Sequence, residues 1–183
     1  MKYFLGSFVG IFIIFLLGSS IYKQLEKQSN SAKSTRIICQ KNNTVFERVY
    51  NDKEIKVIQN KLKENNFTLS SSIKKAKYSK SKLFDFISLA QMDQITIETL
   101  NKYVIKQKLD DDKLRISYYI YENDIDDPGK KTAKSKLYAG YVVFKFKNNN
   151  NELIYQVQVD FMDKKGVDLP QSIYCAIKSF TTI

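Results

Sequence analysis

Three segments in the second half of the chain alternate apolar and polar residues with a period of two. They are KLRISYYIY from Lys113, AGYVVFKFK from Ala139 and ELIYQVQVDF from Glu152. This period is typical of a β-strand that buries one face. The segments between them are rich in Asp, Asn and Lys, with a Pro-Gly pair in the first, as turns usually are. We therefore predict an antiparallel meander of three strands, within a sheet of three to four strands that has one apolar face.

Apolar residues at helical spacing predict the elements that cover this face. NDKEIKVIQNKLKENN places Ile55, Ile58 and Leu62 on one side of a helix, with Asn51 as its N-cap. TIETLNKYVIKQ predicts a second helix, whereas LFDFISLA just before it fits a strand or a helix. DLPQSIYCAIKSF predicts a C-terminal helix with Cys175 pointing away from its apolar side, and a strand remains the alternative. The predicted fold class is α+β, with helices packed on the meander.

Two further segments give local predictions. TRIIC, from Thr35, has the composition of a short strand. SSSIKKAKYSKSK, residues 70–82, carries five lysines among small residues and predicts an exposed loop or a basic arm.

The N-terminus is strongly apolar. SFVGIFIIFLLGSSIYKQLEK begins at Ser7, and residues 8–17 are uninterrupted by any polar side chain. Counted over residues 3–22, a helix at about 1.5 Å per residue spans the roughly 30 Å of a bilayer core. A retained anchor is favoured, and a cleaved secretory signal stays open because Gly18 and Ser20 suit a cleavage site. We predict an anchor or signal at 1–22, a polar stalk at 23–34 and one domain at 35–183.

The charges that flank this segment conflict with its position. Lys23, Lys27, Lys33 and Arg36 follow it, and only Lys2 precedes it. The positive-inside rule alone would keep the domain in the cytoplasm, but long following domains translocate largely regardless of charge. We predict a single-pass protein of the cytoplasmic membrane with an extracytoplasmic C-terminal domain, which would be periplasmic or secreted after cleavage. The cytoplasmic orientation stays open as an alternative.

The chain is basic, with a formal net charge of +11, and Arg36, Arg48 and Arg115 are its three arginines. A positive surface attracts anionic lipid, an anionic polymer or an acidic protein. Recognition of nucleic-acid bases favours arginine over lysine, so nucleic acid is a disfavoured partner. Lysine is also enriched together with asparagine, so base composition alone could account for the charge.

Two cysteines, Cys39 and Cys175, lie near opposite ends of the predicted domain. An even number of cysteines in an exported chain predicts a disulfide, with two buried thiols as the alternative.

The chain contains no histidine. This excludes Ser-His-Asp and Cys-His catalysis and every zinc site that needs histidine. Outside the N-terminal segment the glycines do not form a nucleotide-binding loop. ENDIDDPG gathers acids, but Pro128 falls where a calcium loop needs a ligand, so a polar hairpin tip is favoured. We predict no cofactor and no metal.

Paired carboxylates are the remaining route to catalysis, in an enzyme that cleaves polysaccharide. The candidates beside apolar sequence are Asp85, Asp93, Glu98 and Asp160. A solvated surface role is the ordinary explanation for such residues, and we predict that the protein is not an enzyme.

Aromatic and basic residues are interleaved on the outward side of the predicted meander. These candidate partner-binding residues are Arg115, Tyr119, Tyr121, Tyr141, Lys145, Lys147, Gln156 and Gln158. Tyrosine and arginine are enriched in protein interfaces. Cover by another part of the same chain is the alternative.

The order of parts, an anchor, a stalk, helices and then long strands, resembles that of small envelope proteins with NTF2-like or cystatin-like periplasmic domains. Some of these are assembly subunits of type IV secretion systems. We predict a membrane-anchored binding or assembly module of the envelope, with an envelope protein as partner. The alternatives are an immunity protein that neutralises an acidic toxin, a secretion-system assembly subunit, and the polysaccharide-active enzyme.

Overall fold

Five strands form one mixed sheet in the computed structural model, which describes residues 36–183 except 109 and 131. The strands are β1 (Val45–Val49), β2 (Phe67–Lys74), β3 (Leu114–Glu122), β4 (Gly140–Lys147) and β5 (Leu153–Phe161). Their order across the sheet is β1-β5-β4-β3-β2. The predicted meander of β3, β4 and β5 is confirmed. The prediction of three to four antiparallel strands is wrong, because β1 joins antiparallel to β5 and β2 joins parallel to β3.

Four α-helices accompany the sheet in the described part of the chain. They are α1 (Cys39–Asn42), α2 (Asp52–Lys63), α3 (Leu89–Asn101) and α4 (Leu169–Thr181). The predictions of α2 and α4 are confirmed, as is Asn51 at the N-cap position, although its side chain donates to Glu152 instead of capping. The strand predicted for TRIIC is wrong, since the chain turns there into α1. Cys175 does not point away from the core but is fully buried.

The helices pack on one side of the sheet, here called the inner face. Buried apolar residues of α2, α3 and α4 join those of β3, β4 and β5 in one core cluster. Phe180 of α4 stacks on Phe146 with ring centroids 3.9 Å apart, and Tyr155 lies 5.8 Å away. The opposite side of the sheet is called the outer face.

The predicted anchor and stalk, residues 1–34, lie outside the described residues. Among the residues that the structure does describe, no helix is both long enough and apolar enough to cross a membrane.

The basic segment at residues 70–82 is part strand and part exposed loop, so the prediction of a loop or arm is wrong only for its beginning. Its first five residues complete β2. The rest curls around two carboxylates at the end of β3. Asp124 accepts hydrogen bonds from the backbone N–H groups of Lys77, Tyr78 and Ser79 at 2.6–2.9 Å. Glu122 accepts three more, from Ala76, Lys82 and Leu83.

This arrangement predicts that residues 76–83 become less ordered at low pH. Burial raises the pKa of Asp124, but the hydrogen bonds from residues 77–79 outweigh it and hold the pKa well below its usual range. The pKa of Glu122 is lowered in the same way against the effect of burial. Because both pKa values are depressed on folding, their contribution is present above the ordinary carboxyl pKa of about 4 and is lost as the pH falls through the folded values.

We expect the backbone amides of residues 76–83 to lose hydrogen-exchange protection as the pH is lowered below about 4. In Asp124→Asn, protection of residues 77–79 should already be low at neutral pH. The control is Asp126→Asn, which removes the charge of an exposed neighbour. Equal effects of the two substitutions would contradict this role for Asp124.

Candidate partner-binding surface

The strand register brings the eight predicted partner-binding residues to the outer face. Arg115 lies opposite Lys147 and Tyr121 lies opposite Tyr141, across β3 and β4. On the other side of β4, Lys145 lies opposite Gln156 and Val143 lies opposite Gln158. We call these eight residues, from Arg115 to Gln158, the outer patch.

The outer patch stays accessible in the described part of the chain. Arg115 is exposed and the other seven residues are half-buried. Val143, in the middle of the patch, is only 2% exposed although it lies on the outer face. Tyr119 and Gln158, which lie opposite Val143 on the two flanking strands, therefore help to shield this part of the sheet.

Tyrosine rings cluster on this surface. Tyr121 and Tyr141 stack with ring centroids 4.6 Å apart, and Tyr119 meets Tyr141 edge-on at 6.3 Å. Tyr138, just before β4, adds a fourth ring 6.3 Å from Tyr141. Both the stacked and the edge-on arrangement are favourable for aromatic pairs. The rings thus form a pre-ordered cluster before any partner binds.

Two lysine ammonium groups lie against these rings. Lys74 Nζ is 4.0 Å from the centroid of the Tyr119 ring. Lys130 Nζ is 5.5 Å from the centroids of both Tyr121 and Tyr138. It is buried and has no hydrogen-bond partner among the described residues. Burial lowers the pKa of Lys130, against the opposing effect of nearby aspartates. Cation–π contacts of this kind strengthen as water is removed.

The tyrosines stay in their neutral form at physiological pH. Burial raises the pKa of Tyr119, Tyr121 and Tyr138, and it raises that of Tyr141 strongly with help from the neighbouring tyrosines. A neutral phenol offers a ring face for stacking and a hydroxyl donor at the edge. The cluster is therefore suited to non-covalent binding.

Tyr138, Lys74 and Lys130 were missing from the predicted set. Lys74 reaches the outer face because β2 pairs with β3, where Lys74 lies opposite Tyr121. Tyr138 and Lys130 belong to the connection between β3 and β4, where no period of two assigns a face. Sequence periodicity therefore identifies residues on strands and misses those that loops bring to the same place.

The four carboxylates considered for catalysis lie on three elements, with Asp93 and Glu98 both on α3. Asp93 on α3 accepts a hydrogen bond from the Tyr118 hydroxyl at 2.6 Å. Asp160, at the end of β5, accepts one from the Gln158 amide at 2.9 Å. Glu98 accepts one from Gln94 on the same helix, and Asp85 lies in a short 3₁₀ turn. Within the described residues, no three acidic or cysteine side chains group in a way that could hold a metal ion.

Cys39 and Cys175 form the predicted disulfide, with Cα atoms 5.7 Å apart. The bond ties α1, at the start of the described chain, to the middle of α4. Beside it, the Gln40 amide donates to the Ser179 hydroxyl at 3.0 Å and to Glu47 on β1. The start of the described residues is therefore fixed to the core side of the fold.

Comparisons with known proteins assign this chain to no family. No protein-family model matches the chain, and the search of curated proteins finds no match. Two matching solved structures are PelC dodecamers from Paraburkholderia phytofirmans. A single-substitution variant is 12% identical, with 76% of this chain and 97% of that chain covered and a TM-score of 0.40. The other is 11% identical, with coverage of 76% and 96% and a TM-score of 0.39.

Proposed function

We propose that this chain is a membrane-anchored, extracytoplasmic module of the cell envelope that binds another envelope protein and does not catalyse a reaction. The outer patch is its contact surface. The observation that carries the proposal is the tyrosine cluster on the outer face, which remains accessible while α2, α3 and α4 pack on the inner face.

The chemistry of the patch suits a protein partner. Tyrosine and arginine are enriched among the residues that dominate interface energies. A tyrosine that is already packed against other rings loses little side-chain entropy on binding, so more of its contact energy appears as affinity.

The charge of the patch indicates an acidic partner. Arg115, Lys145 and Lys147 lie on the outer face beside the tyrosines, within a chain of net charge +11. Complementary charge speeds association and disfavours basic partners.

The disulfide supports the proposed compartment. Disulfides persist in extracytoplasmic spaces and are rare in a reducing cytosol. The N-terminal segment would place the domain in the envelope by anchoring it through residues 3–22 and spacing it from the bilayer with the stalk.

We expect Tyr119→Ala in the full-length protein to reduce recovery of the partner from crosslinked membranes. Loss of one interface tyrosine of this kind costs about 2 kcal/mol or more, which is about thirtyfold in affinity. Recovery is measured by quantitative mass spectrometry after purification under identical detergent conditions.

The matched control is Tyr78→Ala, which removes an exposed tyrosine outside the patch. It should leave recovery unchanged, and both variants should melt within a few degrees of the wild type. Equal loss in both variants, or undiminished recovery with Tyr119→Ala, would contradict the proposal. The identity of the recovered partner then separates an assembly role from immunity, because the partner of an immunity protein would be a toxin.

A further inference from the structure

A separate cleft of about 330 Å³ lies next to the outer patch. One side is the segment around Leu83, another is the end of β3 at Asn123, and a third is the stretch that leads into β4, with Tyr138. Its volume falls at the lower end of the roughly 300–1,000 Å³ found for small-molecule sites. A single sugar unit or a molecule of similar size would fit.

Four lysines line this cleft and come from three distant parts of the chain. They are Lys80, Lys82, Lys136 and Lys164. Two acids also line it. The Glu122 carboxylate already accepts three backbone hydrogen bonds, and Asp126 is an exposed side chain that offsets one lysine. The balance of charge around the cleft is positive and favours an anion.

Asn123 holds one wall of the cleft in place. Its Nδ2 donates to the backbone carbonyls of Ser135 at 3.2 Å and Tyr138 at 2.7 Å, which fixes the stretch that leads into β4 against the end of β3. Its Oδ1 is closed off from solvent, so a ligand in the cleft would not contact it.

The remaining wall of the cleft is apolar. Leu83, Ala139 and Tyr138 line it. Aromatic and aliphatic surface of this kind packs against the C–H face of a hydroxylated ring, while polar groups fix the ring's orientation.

We propose that this cleft binds an acidic sugar, meaning a hydroxylated ring that carries a carboxylate or a phosphate ester. The lysines take the anionic group, and Tyr138 with Ala139 contacts the ring. The site uses none of the eight outer-patch residues and shares only Tyr138 with the tyrosine cluster. Its test measures sugar binding with no protein partner present, so its failure is distinguishable from failure of the proposed function.

The test is calorimetric titration of the full-length protein in detergent with four probes at neutral pH and low salt. The probes are glucuronate, glucose 6-phosphate, glucose and inorganic phosphate. At least one acidic sugar should bind about tenfold more tightly than both glucose and phosphate. Whichever of the two acidic sugars binds with the higher affinity identifies the anionic group, carboxylate or phosphate, that the site prefers.

The variant Lys82→Gln with Lys164→Gln should weaken binding of that sugar by about tenfold or more. The control is Lys53→Gln with Lys63→Gln, which removes the same charge from exposed positions on α2. Inorganic phosphate binding as tightly as glucose 6-phosphate, with glucuronate no tighter than glucose, would overturn the acidic-sugar assignment. Absence of binding, or equal weakening by the control, would overturn the site.

Discussion

Removal of the disulfide by Cys39→Ser with Cys175→Ser is expected to lower the free energy of unfolding by about 4 to 5 kcal/mol. The bond closes a loop with a sequence separation of 136 residues, and a longer loop restricts the unfolded chain more. It also holds α1, which has only four residues, against α4. The measurement is urea unfolding of the oxidised protein, the reduced protein and the double variant.

The reduced wild type is the control, and it should match the double variant. A difference of less than about 1 kcal/mol between oxidised and reduced protein would show that the bond does not constrain the fold in this way.

The same cysteines report the compartment in cells. A membrane-impermeant maleimide applied to spheroplasts should label neither cysteine until the protein is denatured and reduced, and external protease should reach the domain. Free thiols that react only after the membrane is permeabilised would place the domain in the cytoplasm. Anionic lipid or nucleic acid would then become the leading candidate partners.

Phe180→Ala is expected to cost about 3 to 5 kcal/mol of unfolding free energy. Phe180 is fully buried and packs against Phe146 and Tyr155, so truncation leaves a cavity between α4 and the sheet. Denaturant unfolding measures the loss.

Phe86→Ala is the matched control, because Phe86 is 54% exposed. Its effect should stay within about 0.5 kcal/mol. Similar costs for the two substitutions would mean that α4 is not packed on the inner face as described.

The predictable part of the fold comes from elements with two chemically different sides. β3 alternates buried and accessible residues along its whole length, and α2 buries Ile55, Ile58 and Leu62 at helical spacing. Each of these elements lies with one side on the core, so its burial pattern is visible in the sequence.

The two missed strands show such a pattern only weakly. β2 alternates half-buried and exposed residues over its first six positions, but its inner side carries Ser71 between Leu69 and Ile73, and none of its residues is fully buried. β1 is an edge strand, and Val45 is the one residue in it that is half-buried; the other four are exposed. The parallel pairing of β2 with β3 also depends on α3 and the long connection between them, and local sequence does not encode it.

The same reasoning applies to the candidate surfaces. Alternation along β3, β4 and β5 predicted that the eight outer-patch residues share a face. The buried carboxylates Glu122 and Asp124 were not predicted, because their partners are backbone N–H groups some forty residues earlier in the chain. The acidic-sugar cleft likewise joins segments that are distant in sequence.

Site-specific photo-crosslinking in living cells tests the central claim most directly. A photoreactive amino acid would replace Tyr119, Lys145 or Gln156 on the outer patch, and Lys53 on α2 as the control. We predict that the three outer-patch positions yield one common adduct with an envelope protein and that position 53 yields none. Adducts from position 53 alone, or none from the outer patch, would contradict the assignment of this face as the binding surface.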